Sequence, residues 1–191
     1  AADCAQAAGG YQTECLGPIA RRFGCHIVHG YVEACRGRLH SSAAVVGPAG
    51  TVVGNVRKRN LWGGDHLWAA SGDDIGPMPV VVTPVGRIGA LIGRDVANGL
   101  RSSAPWHKAG ARLYAPGSVD VLCVLTDVPI DHGWPDAEWT DLAESTRSNV
   151  IVSNGLGPGR GGSCVIDRSL RPWTHGTSFE APAVVGGVAL L

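Results

Sequence analysis

Two stretches of the sequence place chemically useful side chains where strands are predicted to end. Lys58 follows an apolar hairpin segment and precedes a Trp-rich loop that contains Asp65. A lysine at a strand end can donate hydrogen bonds to a developing oxyanion when the loop around it excludes water. The second stretch, residues 86–95, is an apolar run that ends in Gly-Arg-Asp. A reacting group is expected at such a corner, yet Gly93 has no side chain with which to react.

The position of Lys58 alone leaves a second interpretation open. Lys58 lies in the dense basic run Arg57-Lys58-Arg59. Long basic side chains usually lay their stems along apolar surface and keep their charged ends in water. A solvated basic cluster is therefore the alternative to an oxyanion donor.

The composition restricts the classes of partner. The chain has 191 residues, of which 45% are hydrophobic and 17% charged, as expected of a globular protein. Sixteen basic residues balance sixteen acidic ones, so no net field attracts nucleic acid. The sequence also has no run of about 18 apolar residues that could span a bilayer. We therefore predict neither a nucleic-acid nor a membrane partner.

The cysteines and histidines indicate neither a metal site nor a disulfide framework. Six cysteines are present, and no two of them have the C-x-x-C spacing. Scattered thiols of this kind are typical of a reduced, cytoplasmic protein. Cys123 lies within an apolar run, where an inert core thiol is favoured over a relocated nucleophile. None of the seven histidines forms an H-x-x-x-H or H-E-x-x-H pair, and we predict no metal ligands.

Hydrophobic periodicity predicts two helices among many strands. Apolar residues at helical spacing predict a helix over 3–23, in which Gly9-Gly10 can delay the start and Gly17-Pro18 can interrupt the helix. A second helix is predicted over 135–148, with Trp139, Leu142 and Ala143 as its apolar face. The predicted strands are 25–33, two within 41–58, two within 78–95, 119–127, 150–155, 163–169 and 181–190.

The order of these elements predicts an α/β fold with layered sheets. Some strands form hairpins and others are separated by helices, and the turns are short and rich in Gly and Pro. No linker, internal repeat or low-complexity tract interrupts the chain. We therefore predict one domain over residues 1–191.

Several ordered motifs resemble the carbon–nitrogen hydrolase (nitrilase) superfamily. The pattern G-P-x-G-x-x-x-G-x-x-R-K is matched from residues 47 to 58, with Lys58 at the family's catalytic lysine. Asp65 and Trp68, leading to Gly72-Asp73, are similar to its acidic-aromatic segment, with Asp in place of Glu. G-x-I-G-x-x-I-C-x-D is matched at residues 86–95 except that Gly93 replaces the nucleophilic Cys. Residues 145–157 and 161–167 resemble two later motifs.

The resemblance implies a fold and a chemistry. It implies a four-layer α-β-β-α sandwich, here expected to lack its first strands and to be incomplete at the N-terminus. It implies attack by a Cys on a small-molecule amide or nitrile, with a Glu as base and a Lys stabilising the intermediate, and it implies no cofactor. It also implies a homo-oligomer. Glu14 and Glu33 lie in the wrong context to be the base, so only the Lys of this set is expected here.

Two classes of function follow from the resemblance. The first is hydrolysis of a non-peptide amide or nitrile. The second is a catalytically inactive binding or structural subunit. In either class, the predicted catalytic positions are Lys58, Asp65 and Gly93. The residues predicted to contact substrate are Arg94, Asp95, Trp62 and Trp68. Surface packing explains the tryptophans equally well.

Overall fold

The computed structural model describes residues 1–72, 76–98, 113–127, 136–155, 161–169 and 172–175. The chain divides into two compact units, Ala1–Val81 and Val82–Leu191. The first unit contains helix α1 and a three-stranded sheet, and the second contains helix α2 and most of a six-stranded sheet. The prediction of a single domain over 1–191 stays a prediction.

Helix α1 spans Tyr11–Phe23, so the prediction of a helix over 3–23 was wrong at its N-terminal end. Ala2–Cys4 forms a separate 3-10 turn, and the helix begins only after Gly10. Pro18 lies inside the helix without ending it. The helix ends at Gly24, which adopts the left-handed conformation (φ +60°) that glycine tolerates best.

The buried face of α1 consists of small and polar residues. Thr13, Gly17 and Ala20 are its buried positions. A Cβ atom at Gly17 would lie 2.5 Å from the carbonyl oxygen of Gly50, so the helix backbone approaches the turn at Gly50 directly. The apolar residues whose spacing predicted the helix lie elsewhere on its surface, and Tyr11 is 74% exposed.

The three-stranded sheet is antiparallel, with the order β1-β2-β3. Its strands are β1 (Ile27–Cys35), β2 (Arg38–Val46) and β3 (Val52–Arg57). Arg36 (φ +50°) and Gly37 (φ +73°) join β1 to β2, and two positive φ angles match the twist of a tight hairpin. The two strands predicted within 41–58 are confirmed as β2 and β3.

The six-stranded sheet is mixed and has the order β4-β5-β6-β7-β8-β9. Its strands are β4 (Val81–Thr83), β5 (Gly86–Ile92), β6 (Val121–Thr126), β7 (Asn149–Asn154), β8 (Cys164–Ile166) and β9 (Pro172–His175). Strand β6 pairs in parallel with β5 and β7, which explains its nearly continuous apolar sequence. The strand predicted over 181–190 lies outside the described residues, and β9 was not predicted.

Helix α2 spans Asp136–Thr146 and contacts β7 and β8. Trp139, Leu142 and Ala143 are buried, which confirms the predicted apolar face. In the described part of the chain, no helix combines the length and the hydropathy needed to cross a membrane. The mixed α/β architecture with two sheets and few helices confirms the predicted fold class.

We expect Gly17→Ala to destabilise the protein, although alanine is favoured over glycine by about 1 kcal/mol in an exposed helix interior. The added methyl group would meet the Gly50 carbonyl oxygen, and such overpacking costs about 1–3 kcal/mol. Urea unfolding measures the free energy.

The matched control is Gly9→Ala, because a Cβ atom there meets nothing within 4 Å. We expect the control to unfold at the same urea concentration as the wild type. A Gly17→Ala variant as stable as this control would contradict the close approach of α1 to the turn.

Candidate functional site

Backbone hydrogen bonds on both sides hold Lys58 at the end of β3. Its N–H donates to the carbonyl of Ser41 (2.8 Å), and its carbonyl accepts from the N–H of Gly72 (2.8 Å). A Cβ atom at Gly72 would lie 2.9 Å from the Cβ of Arg57, so this close approach of two backbone segments requires glycine. Lys58 is only 8% exposed. Its ammonium group is therefore fixed in position and not freely solvated.

The partner of Lys58 is Asp65. Lys58 Nζ lies 2.5 Å from Asp65 Oδ2, and the two side chains are 9% and 19% exposed. Asp65 belongs to the 3-10 turn Gly63–Leu67, and the same Oδ2 accepts the backbone N–H of Trp62 (3.0 Å). The structure thus brings together two of the predicted site residues. The alternative of a solvated basic cluster does not describe Lys58.

The two tryptophans near this pair differ in exposure. Trp62 is 59% exposed, and its contribution to the pair is its backbone N–H. Trp68 is half-buried at the end of the same 3-10 turn. Their predicted contact with substrate stays a prediction.

The corner after β5 is built around a backbone conformation that favours glycine. Strand β5 ends at Ile92, and Gly93 has φ +50° at the start of a 3-10 segment, Gly93–Asn98. Asp95 is 1% exposed, and its Oδ2 accepts the Ile92 N–H (3.3 Å). Arg94 is half-buried. The carboxylate of Asp95 therefore turns back onto the strand end, and the roles predicted for Arg94 and Asp95 in substrate binding stay predictions.

Two further polar residues lie at the carboxyl ends of the parallel strands. Asp127 follows β6 and lies over Gly155, where a Cβ atom would collide with its Oδ1. Asn154 ends β7, and its Nδ2 donates to the carbonyl of Gly161 (2.8 Å). Ligands of open α/β sheets bind at this edge. Sequence reasoning missed Asp127, although its place directly after an apolar run was the available signal.

The predicted site residues lie in different units. Lys58, Asp65 and the two tryptophans belong to the first unit, and residues 93–95 belong to the second. Asp73, which completed the predicted Gly-Asp pair, lies outside the described residues. Trp106 and Trp134 also lie outside the described residues.

Glu33 forms a structural ion pair. Its carboxylate accepts hydrogen bonds from Arg57 (2.6 and 2.8 Å), Ser42 (2.7 Å) and Asn55 (3.0 Å), and the residue is 5% exposed. Burial by itself would raise the pKa of Glu33. The hydrogen bonds from Arg57, Ser42 and Asn55 outweigh burial and lower that pKa to about 2. A carboxylate this acidic is a poor general base at neutral pH.

Cys123 is a core thiol. It is 9% exposed in β6, opposite Ala90 of β5 and Ile151 of β7. Burial raises the pKa of Cys123 to about 12, so the nucleophilic thiolate is scarcely populated at neutral pH. All six cysteines are free. Over the residues that the structure describes, no cluster of three or more His, Cys, Asp or Glu side chains is arranged to hold a metal ion.

Comparison with known proteins assigns the family. The model of the carbon–nitrogen hydrolase family matches residues 2–121, which is 120 of the 191 residues. The chain therefore belongs to the carbon–nitrogen hydrolase family. A search of curated protein sequences gives no significant match.

Solved structures share the fold at low sequence identity. An amidase from Nesterenkonia sp. AN1, a mutant carrying the acetamide moiety of fluoroacetamide on its active-site cysteine, has a TM-score of 0.67 at 20% identity, with 88% of this chain and 63% of that chain covered. A carbon–nitrogen hydrolase from Helicobacter pylori G27 gives 0.70 at 16%, covering 90% and 64%. A superfamily protein from Xanthomonas campestris, with an arsenic adduct in its active site, gives 0.72 at 19%, covering 95% and 68%.

These similarities confirm the fold predicted from the sequence motifs. This chain spans less than two thirds of the length of the Nesterenkonia and Helicobacter proteins. Their active-site chemistry is therefore evidence about those proteins, and any activity of this chain is a separate question.

We expect Glu33→Gln to lower the free energy of unfolding by about 2 kcal/mol at pH 7, because it leaves the half-buried Arg57 without its counter-charge. The pKa of Glu33 falls from 4.5 in the unfolded chain to about 2 in the folded one. A carboxyl group whose pKa is lower in the folded than in the unfolded chain stabilises the protein at pH values above its unfolded pKa. This stabilisation is lost as the pH falls from about 5 towards 2.

Urea unfolding at several pH values between 7 and 2 tests this expectation. The difference between wild type and Glu33→Gln should shrink with acidification. Glu144→Gln, an exposed substitution on α2, is the control and should remain close to the wild type throughout. If the difference in free energy of unfolding between wild type and Glu33→Gln stayed constant with pH, the ionised carboxylate would not be the source of that difference.

Proposed function

We propose that this chain is a catalytically silent carbon–nitrogen hydrolase that binds a small amide or nitrile without hydrolysing it. The observation that carries the proposal is Gly93, which stands where the motif of the family has its nucleophilic cysteine. Covalent catalysis of this type needs a thiolate to attack the substrate carbon and form a thioester. Glycine offers no atom for that bond.

The Lys58–Asp65 pair supports binding of an amide. A primary amide presents a carbonyl oxygen that accepts hydrogen bonds and an N–H group that donates them. The pair presents the complementary groups, an ammonium donor and a carboxylate acceptor 2.5 Å apart. A nitrile nitrogen would accept from Lys58 alone. Such a pair orients a small polar ligand even where no bond is made or broken.

The environment of Glu33 supports catalytic silence as well. Glu33 is held ionised by its hydrogen bonds with Arg57, Ser42 and Asn55. Glu14 is exposed on α1.

The second candidate function is hydrolysis of a non-peptide amide or nitrile through a Cys-Glu-Lys type site. Membership of the family favours it, and the Nesterenkonia amidase carries an acetamide moiety on its active-site cysteine. This chain retains only the lysine of that set. Hydrolysis would need a nucleophile and a base from elsewhere, and the buried Cys123 is a poor source.

We also propose a cytoplasmic location. Six free thiols, four of them exposed or half-buried, support a reducing compartment.

The first experiment combines ligand binding with ammonia release. We expect butyramide or acetamide to bind the wild type, as detected by protein NMR shifts, with no ammonia above the blank. Lys58→Met should weaken binding about tenfold or more, because a charged hydrogen bond contributes about 1.5–3 kcal/mol. Arg38→Met, an exposed basic residue on β2, is the matched control and should bind as the wild type does.

Two results would overturn the proposal. One is an absence of binding by the folded wild type. The other is release of ammonia that disappears in Lys58→Met. Lys58→Arg keeps the charge beside Asp65 and distinguishes loss of a ligand contact from loss of folding.

The second experiment restores a thiol at the corner. We expect Gly93→Cys to release no ammonia, because Glu14 and Glu33 lie in the wrong context to be the base. The left-handed conformation at this position costs a non-glycine residue about 1–2 kcal/mol, so circular dichroism must show that the variant is folded. Ammonia release by Gly93→Cys would contradict the conclusion that neither Glu14 nor Glu33 serves as the base.

A further inference from the structure

A groove of about 370 Å³ lies between helix α1 and the turn that joins β2 to β3. The helix forms one wall, and Gly50, Thr51 and Val52 form the other, all within the first unit. A Cβ atom at Gly17 would lie 2.5 Å from the Gly50 carbonyl oxygen, so direct backbone contact fixes the spacing between the walls. Ligand sites are concave, largely preformed and about 300 Å³ or larger. The groove therefore has the size of a site for a small molecule.

Arg21 supplies a positioned cation at one end of the groove. Its guanidinium lies over Gly50, where a Cβ atom would collide with Nη1, so the turn needs glycine at this position to make room for it. Nη1 also donates to the carbonyl of Ala49 (3.3 Å). A guanidinium carries five N–H donors, and a single bond to Ala49 leaves others for an anion. A carboxylate is the group that matches such paired donors best.

Glu14 supplies an anion at the other end of the groove. It lies on the same helix as Arg21, about two turns or 10 Å away along the axis. Among the described residues, the Glu14 carboxylate forms no hydrogen bond or ion pair, and Glu14 and Arg21 do not pair with each other. Pro18 and Val52 line the groove between them. The groove thus presents a carboxylate, an apolar middle and a guanidinium in that order.

We propose that this groove binds a short ω-amino carboxylate, a molecule whose ammonium and carboxylate groups stand at opposite ends of a methylene chain. The ammonium pairs with Glu14, the carboxylate with Arg21, and the methylene groups lie over Pro18 and Val52. An α-amino acid is too short to reach both charges, because its ammonium and carboxylate share one carbon. The inference goes beyond the proposed function and does not depend on it, because no residue that lines the groove belongs to the candidate site.

Charge complementarity at both ends favours a zwitterion over a ligand with a single charge. A simple carboxylate would pair with Arg21 but share the groove with the like charge of Glu14. A simple amine would pair with Glu14 but share the groove with the guanidinium of Arg21. Both side chains are exposed, and ion pairs at exposed positions are weak and screened by salt. We therefore expect a dissociation constant of about 1 mM for the zwitterion.

Titration of the full chain with ε-aminocaproate, followed by the NMR shifts of its backbone amides, tests the proposal. We expect the signals of α1 and of residues 47–52 to shift together and to give one dissociation constant. Hexanoate and hexylamine each carry only one of the two charges. Each should bind about fivefold more weakly than ε-aminocaproate, or worse, because it loses one ion pair and meets one like charge.

Substitutions on α1 test which charges the ligand contacts. Glu14→Gln removes the anion with little change in size and should weaken ε-aminocaproate about fivefold or more. The matched control is Arg22→Gln, because the Arg22 guanidinium lies 5.4 Å from the centre of the Phe23 ring and does not line the groove. This control should bind as the wild type does. Glu14→Lys places a cation at each end, and this variant should bind the dicarboxylate adipate more tightly than ε-aminocaproate.

Several results would overturn the proposal. The signals of α1 and residues 47–52 could stay unchanged at ε-aminocaproate concentrations well above the expected dissociation constant, which would show that the groove takes no such ligand. Hexanoate or hexylamine could bind as tightly as ε-aminocaproate, which would show that only one charge is recognised. A folded Glu14→Gln variant could bind as the wild type does, or a folded Glu14→Lys variant could still prefer ε-aminocaproate to adipate. Either result would remove Glu14 from the site.

Discussion

The candidate site depends on one ion pair. The ammonium group of Lys58 has lost most of its water, and a charge in that position is stable only beside an opposite charge. Asp65 supplies that charge at 2.5 Å, and Asp65 is itself fixed by the N–H of Trp62. The hairpin that ends at Lys58 and the 3-10 turn that carries Asp65 are therefore coupled. A ligand bound at the proposed site would have to exchange hydrogen bonds with this pair.

Much of the fold could be predicted from the sequence, because its strands follow simple physical rules. Strand β6 was found from an uninterrupted apolar run, as expected of a strand between two parallel neighbours. The two strands within 41–58 were predicted from apolar runs joined by a short turn rich in Gly and Pro. Helix α1 was less well predicted, since its buried face holds Thr13 and Gly17. The closeness of Gly17 to Gly50 is a long-range contact that no local pattern reveals.

The candidate site was predicted in part. The motif from residues 47 to 58 indicated Lys58, and Asp65 followed from the same resemblance. The ion pair of Glu33 with Arg57 was not foreseen, because it joins β1 to β3 across 24 positions of the sequence. Asp127 was missed because the sequence does not show that the carboxyl ends of the parallel strands lie together. That arrangement places Asp127 at the edge of the sheet where ligands can bind. The family motif identified Gly93, and the structure adds its φ of +50°.

The most direct test of the silent-enzyme account is whether water is ever added to a bound amide. Hydrolysis in H₂¹⁸O places one labelled oxygen in the acid product, so butyramide incubated with the protein would yield labelled butyrate detectable by mass spectrometry. The account predicts no labelled butyrate above that formed without protein, under conditions where butyramide is bound. Labelled butyrate that accumulates with the wild type and disappears in Lys58→Met would contradict it.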